Sequence, residues 1–183
     1  GGAPMGERER LWYYIIVATA GHDTTSFALS GGLEALLHHP DQLASLHGTD
    51  DDRIARACDE MIRWTTPVRH FLRYPTQDTT IRGVDIPADG RVLLCYPSAN
   101  RDEDVFEDPM RFDVDRPDAD KLLSFGVGAH FCLGSQFARS ELRACMRRLT
   151  DQVTDIEPIG EASWAQSHFV SGVKHLPIRY RFR

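Results

Sequence analysis

The chain has 183 residues, enough for one domain with a real core. Hydrophobic residues make up 42% and charged residues 26%, a soluble and globular balance, and the formal net charge of -6 argues against nucleic acid as the main partner. The four cysteines, Cys58, Cys95, Cys132 and Cys145, contain no CxxC pair, which disfavours structural zinc, and charges or polar groups interrupt every apolar run that could span a membrane.

Gly1 to Gly6 reads as a frayed start. From Arg8 to His38 apolar residues recur at helical spacing: Leu11, Tyr14, Ile15 and Ala18, then Phe27, Leu29, Leu33, Leu36 and Leu37. A long helix is expected there, stopped near Pro40. Ala20-Gly21-His22-Asp23-Thr24-Thr25 interrupts it chemically. Gly21 costs about 1 kcal/mol in a helix interior. Asp and Thr compete for backbone hydrogen bonds, so a local opening is expected. On these residues alone, a polar interruption on a surface helix is the alternative.

Asp41 to Leu46 reads as a short helix. Asp50-Asp51-Asp52 opens the next one, with acids at its positive end, and it runs to about Trp64. His22, His38, His39 and His47 do not form a convincing metal set. Glu60 and Arg63 sit three apart on one helix face and can pair. After Pro67 the chain becomes extended towards Arg73. Thr79–Arg82, Val84–Ile86 and Arg91–Tyr96 read as short strands, with Pro87-Ala88-Asp89-Gly90 supplying a turn. Ser98 to Arg101 suits one helical turn, and Asp102 to Leu123 is loop-rich. A helix from about Gly134 to Leu149 should bury Phe137, Leu142, Cys145 and Leu149; Cys58 and Cys95 are likewise assigned to the core. Strand-like pieces follow near Val153–Asp155 and Leu176–Tyr180.

The stretch Phe125-Gly126-Val127-Gly128-Ala129-His130-Phe131-Cys132-Leu133-Gly134 carries the chemistry. Gly126 and Gly128 let the backbone fold tightly and approach a flat partner. The following helix offers unpaired N–H groups and a positive dipole end, both of which favour a thiolate. Phe125, Phe131 and Leu133 would keep water away. A lone thiolate in such surroundings suits an axial haem ligand. A buried cysteine in a glycine-rich turn is the bland alternative.

This run resembles the cysteine-ligand signature of the cytochromes P450, the haem-thiolate monooxygenases, through its Phe-Gly-x-Gly-x-His-x-Cys-x-Gly pattern. The resemblance begins near residue 8 and runs to the end, yet it matches only the C-terminal half of that family's fold. It implies an α+β, mostly helical architecture. A long central helix and the helix after Cys132 would sandwich a haem, with a small incomplete sheet to one side. Residues 1–183 would form a single partial domain, as a fragment or a truncated gene product.

The resemblance also implies roles. Cys132 would be the metal ligand to haem b, with His130 and Arg73 on its propionates and Phe125, Gly126 and Leu133 lining the loop. The 20–25 hexad matches the family's oxygen-activation motif. Ala20 and Gly21 would leave room above the iron, Thr24 would hold a water or oxygen, and Asp23 would relay protons. Val68, Phe169 and Val170 match substrate-facing positions. Glu60 and Arg63 match a buried pair tied to a later arginine; Arg111 fits that third member, with Arg116 a close rival.

The implied activity is insertion of one oxygen atom of O2 into an apolar substrate in a cytoplasm, with electrons from a ferredoxin and its reductase. Trp64 through Arg73 and Ser98 through Asp102 look closest to bacterial terpene and sterol hydroxylases. Two other readings stay open: a haem-free, self-associating remnant without activity, forming a homo-oligomer, or thiol chemistry by Cys132 and His130.

Overall fold

The computed structural model describes residues 4–183, so Gly1–Ala3 of the expected frayed start lie outside the described residues. Helix α1 spans Glu7–Leu37. It begins at Gly6, whose N–H donates to Glu9 Oε2 at 2.9 Å. It runs unbroken through the hexad, so the expected opening is absent. The hydroxyls explain why: Thr19 donates to Ile15 O, Thr24 to Ala20 O and Ser26 to His22 O, each one turn back. These groups find acceptors on the helix itself and do not pull its backbone apart.

Pro40 at a first helical position opens α2 (Pro40–Ser45). Helix α3 (Asp51–Thr65) is capped by Asp50, whose side chain accepts from Arg53 N at 2.7 Å, and Asp51 and Asp52 complement its positive end. It ends at Thr66 in the left-handed region (φ 42°). The strands β1 (His70–Arg73), β2 (Thr79–Ile81), β3 (Val84–Ile86) and β4 (Val92–Cys95) precede the single turn of α4 (Tyr96–Ala99). A long loop with 3-10 turns at Ala119–Lys121 and Gly128–His130 leads into α5 (Ser135–Gln152). Then come β5 (Val153–Pro158), β6 (Ser163–Trp164), β7 (Val173–His175) and β8 (Ile178–Phe182).

The strands do not make the one small sheet expected. Among the described residues they form four separate antiparallel pairs: β1 with β4, β2 with β3, β5 with β8 and β6 with β7. The mainly helical α+β reading otherwise describes the molecule. Its core lies between the second half of α1, α3 and α5, with Leu36, Ile54, Met61, Leu142 and Met146 almost fully buried. Phe112 and Val114 close it from the long loop. Helix α1 approaches α3 through Gly31 and Gly32: a Cβ on either would lie 2.6 Å from side-chain carbons of Thr65 or Met61.

Three core assignments are overturned. Phe137 is 76% exposed, and Cys145 and Cys95 are exposed, whereas Cys58 is buried. On α5 the inward stripe runs Leu142, Met146, Thr150. Cys145 stands about 100° round the helix from Met146, off that stripe. Cys95 lies on the open face of a two-stranded pair, where burial alternates along β4. Burial pushes the Cys58 thiol up to about 12, with the neighbouring Asp59 adding to the effect, which leaves it a protonated, inert core group at neutral pH.

Candidate functional site

The cysteine loop is built by local backbone geometry. Gly126 and Gly128 both adopt positive φ, 68° and 69°, which an L side chain resists. Gly126 N donates to Leu123 O at 2.8 Å, closing a tight turn, and Cys132 N donates to Phe125 O at 2.9 Å across the loop. The Cys132 carbonyl accepts from Ser135 N as α5 begins. Phe125 packs on the core beneath the Arg139 guanidinium, which stands 4.7 Å from the ring centroid and pairs with Asp59 at 2.7 Å.

Cys132 itself is exposed, and so are its apolar neighbours Val127, Phe131 and Leu133. His130 is exposed in the preceding 3-10 turn. Arg73 is half-buried at the end of β1, and among the described residues its guanidinium donates only to Leu72 O. Phe71, on the same face of β1 as Arg73, stacks edge-on against Tyr96. The Tyr96 hydroxyl reaches Gly126, so β1 abuts the cysteine loop.

Ala20, Gly21 and Asp23 are exposed on α1, and Thr24 is half-buried with its hydroxyl donated to Ala20 O at 2.7 Å. Among the described residues no hydrogen bond joins this hexad to the cysteine loop. Asp23, Ser26 and Ser30 instead line a groove facing Gln166, Val170 and Lys174. Val68, Phe169 and Val170 come together: Val68 bridges Val170, Arg69 N donates to Phe169 O, and the Phe169 ring meets Phe71 at 5.5 Å.

Beneath the loop lies a fully buried ion cluster. Arg63 holds Glu60 in a two-point fork at 2.6 and 2.8 Å, and both side chains have no solvent exposure. The third member is Arg116, not Arg111. Arg116 Nε lies 3.1 Å from Glu60 Oε2 and the side chain is 4% exposed. The Arg111 side chain points out towards Asp113, and only its carbonyl reaches the cluster. Asp118, 3.9 Å from Arg116, balances the charge of two cations against two carboxylates. The remaining guanidinium N–H groups donate to the carbonyls of Asn100, Pro109, Glu107, Asp108 and Arg111. Such saturation is what makes a buried ion cluster tolerable.

Sequence reasoning passed over three polar residues here. Asn100, Thr66 and Ser124 are tied together beside the cluster, Asn100 with no exposure at all. Nothing local marks the link, since Ser124 and Thr66 lie 24 and 34 positions from Asn100.

The profile of the cytochrome P450 family matches residues 54–151, from the start of α3 to the end of α5. The chain belongs to the cytochrome P450 family. It is 43% identical over 168 residues to cytochrome P450-terp of a Pseudomonas species, covering 92% of this chain and 39% of that protein. It is 38% identical over 179 residues to a steroid C26-monooxygenase of Mycolicibacterium smegmatis, covering 97% of this chain and 44% of the relative. Among solved structures, CYP108D1 from Novosphingobium aromaticivorans superposes with a TM-score of 0.93 at 42% identity, over all of this chain and 44% of the other. The chain thus spans about two-fifths of the length of these P450 relatives.

The residues present fit the family's cofactor. A single thiol stands among exposed apolar side chains on a loop whose Gly128 would have open space at a Cβ. Among the described residues no three His, Cys, Asp or Glu side chains converge. No helix of the described residues is long and apolar enough to cross a membrane.

Proposed function

We propose that the chain carries the haem-thiolate portion of a P450 monooxygenase, with Cys132 as the residue that would hold the haem iron. The observation that supports it most is the exposed Cys132 thiol on a loop fixed by two positive-φ glycines and walled by Val127, Phe131 and Leu133. Haem b bound there would supply oxygen activation and hydroxylation of an unactivated C–H bond. Cys132 would donate charge to the iron. Arg73 and His130 would pair with propionates, Arg73 as a planar fork. Thr24 donates its proton to Ala20 O, so its oxygen is free to accept from a water. Asp23, exposed on the same turn, would exchange protons with solvent.

Val68, Phe169 and Val170 would contact an apolar substrate. The steroid C26-monooxygenase activity named for one relative favours that class. A ferredoxin and its reductase would deliver the electrons in a cytoplasmic setting. Loading the chain with haemin, reducing it and adding carbon monoxide tests the ligand. The red-shifted Soret band of a thiolate complex should appear; Cys132→Ser should abolish it, and Cys58→Ser, Cys95→Ser and Cys145→Ser should keep it. Loss of the band in one of those three alone overturns the assignment.

A second reading is favoured by one observation. Seven consecutive large apolar residues, Leu11 to Val17, are each at least 41% exposed on α1. A helix apolar all round is normally buried. In the chain by itself this face would drive homo-oligomer formation and leave haem weakly held.

A further inference from the structure

We propose that Asn100 is the positioning residue that fixes the cysteine loop to α3. The proposal rests on the reading of Cys132 as haem ligand for its function, and on hydrogen bonds alone for its structure. Every polar atom of the buried Asn100 side chain is used. Oδ1 accepts from Leu123 N at 2.7 Å, and Nδ2 donates to Thr66 Oγ1 at 2.9 Å and Ser124 Oγ at 2.7 Å. The orientation of the amide is unambiguous, because only its oxygen can accept from a backbone N–H.

Both hydroxyls pass the bond on. Thr66 donates to Arg63 O at 2.7 Å, and Ser124 donates to Ile62 O at 3.3 Å. Both carbonyls lie in the last turn of α3: Ile62 O also accepts from Thr66 N, and Arg63 O has Pro67, which carries no N–H, where its helical donor would stand. Thr66 holds a left-handed conformation that a β-branched residue avoids, so these contacts also hold a strained helix end. The Asn100 carbonyl meanwhile accepts from Arg63 Nη1 at 2.7 Å, so one residue joins the ion cluster to the loop.

From Asn100 the route to the thiol is short. Leu123, held by its N–H, closes the Gly126 turn with its carbonyl, and Phe125, inside that turn, accepts from Cys132 N. Freeing Leu123 and Ser124 would loosen the turn that sets the direction of Cys132. Asn100 touches neither thiol nor haem position; it acts through the loop backbone.

Amide hydrogen exchange on the haem-free 183-residue chain tests this directly. Asn100→Ala should speed exchange at Leu123, Gly126 and Cys132 at least tenfold while Met61 and Leu142 stay protected. Asn100→Asp, which keeps an acceptor for Leu123, should restore part of the protection at Leu123. Ser124→Ala, which removes one tie, should give a smaller rise confined to the loop, and it decides the matter should Asn100→Ala fail to fold. Unchanged loop exchange, or an equal rise across α3, α5 and the loop, overturns the proposal. After haemin loading, Asn100→Ala should lower the thiolate-band fraction of the carbon monoxide complex, and Asn100→Asp should recover part of it. Should Cys132→Ser leave that band intact, the ligand reading fails, and the exchange data still decide the role of Asn100.

Discussion

Two regions of this molecule invert the usual order of inside and outside. The end of α3 and the loop beside it bury three charged side chains, Glu60, Arg63 and Arg116, while Leu11 to Val17 on α1 leave large apolar surfaces in water. The difference shows what burial requires within this chain. Charges can be buried when each N–H and carboxylate oxygen finds a partner, and Arg63 alone reaches three carbonyls besides Glu60. Apolar surface needs only an opposing face, and the described residues offer none to the first half of α1. Its second half meets α3 through Gly31 and Gly32 and is buried.

The largest effect should come from breaking the charged region. Glu60→Ala leaves Arg63 and Arg116 buried without their carboxylate, and should cost about 3–5 kcal/mol in urea denaturation. A cost below about 1 kcal/mol would mean that the carbonyls suffice by themselves.

Next come the two halves of one helix. Gly32→Ala would push a methyl group into Met61 and should destabilise by about 1–3 kcal/mol. Gly21→Ala has open space at its Cβ and should stabilise by about 0.5–1 kcal/mol through helix propensity. Equal effects would show that α1 does not divide as described.

Titration of Cys58 gives a smaller signal. Its thiol is raised in the folded state, so its contribution is fully present below the ordinary thiol range and is lost as pH rises through that range towards about 12. Cys58→Ala should flatten the alkaline part of the stability curve, and in the wild type Cys58 should resist alkylation while Cys95, Cys132 and Cys145 react. Fast alkylation of Cys58 in the folded chain would contradict the burial.

The smallest effect on stability should come from the exposed apolar region. Trp12→Glu with Ile16→Glu should change the unfolding free energy by less than about 0.5 kcal/mol each. Sedimentation should nevertheless show a shift from oligomer to monomer. An unaltered sedimentation profile would place self-association elsewhere or remove it.

Where chemistry is local, the sequence can be read directly. The acids opening α3, the helix stop near Pro40 and the short strands depend on near neighbours, and the structure has them close to where they are expected. The cysteine loop is legible for the same reason: its two glycines, its thiol and the following helix lie within about one dozen positions. The opening of α1 failed as an expectation because Thr24 had two local options, and back-bonding to Ala20 O satisfied it without breaking the helix.

By itself, then, the sequence determined the helices, the turn chemistry around Cys132 and membership of the family, since each rests on residue types at fixed short spacing. Tertiary structure alone decided between Arg111 and Arg116, because both lie on one loop and only packing says which guanidinium turns inward. It alone made Asn100 a hub, through bonds to residues 23 to 34 positions distant. It also sent Cys95, Phe137 and Cys145 outward while keeping Cys58 in, because the number of opposing faces, and not hydrophobicity, sets how much of an element is buried.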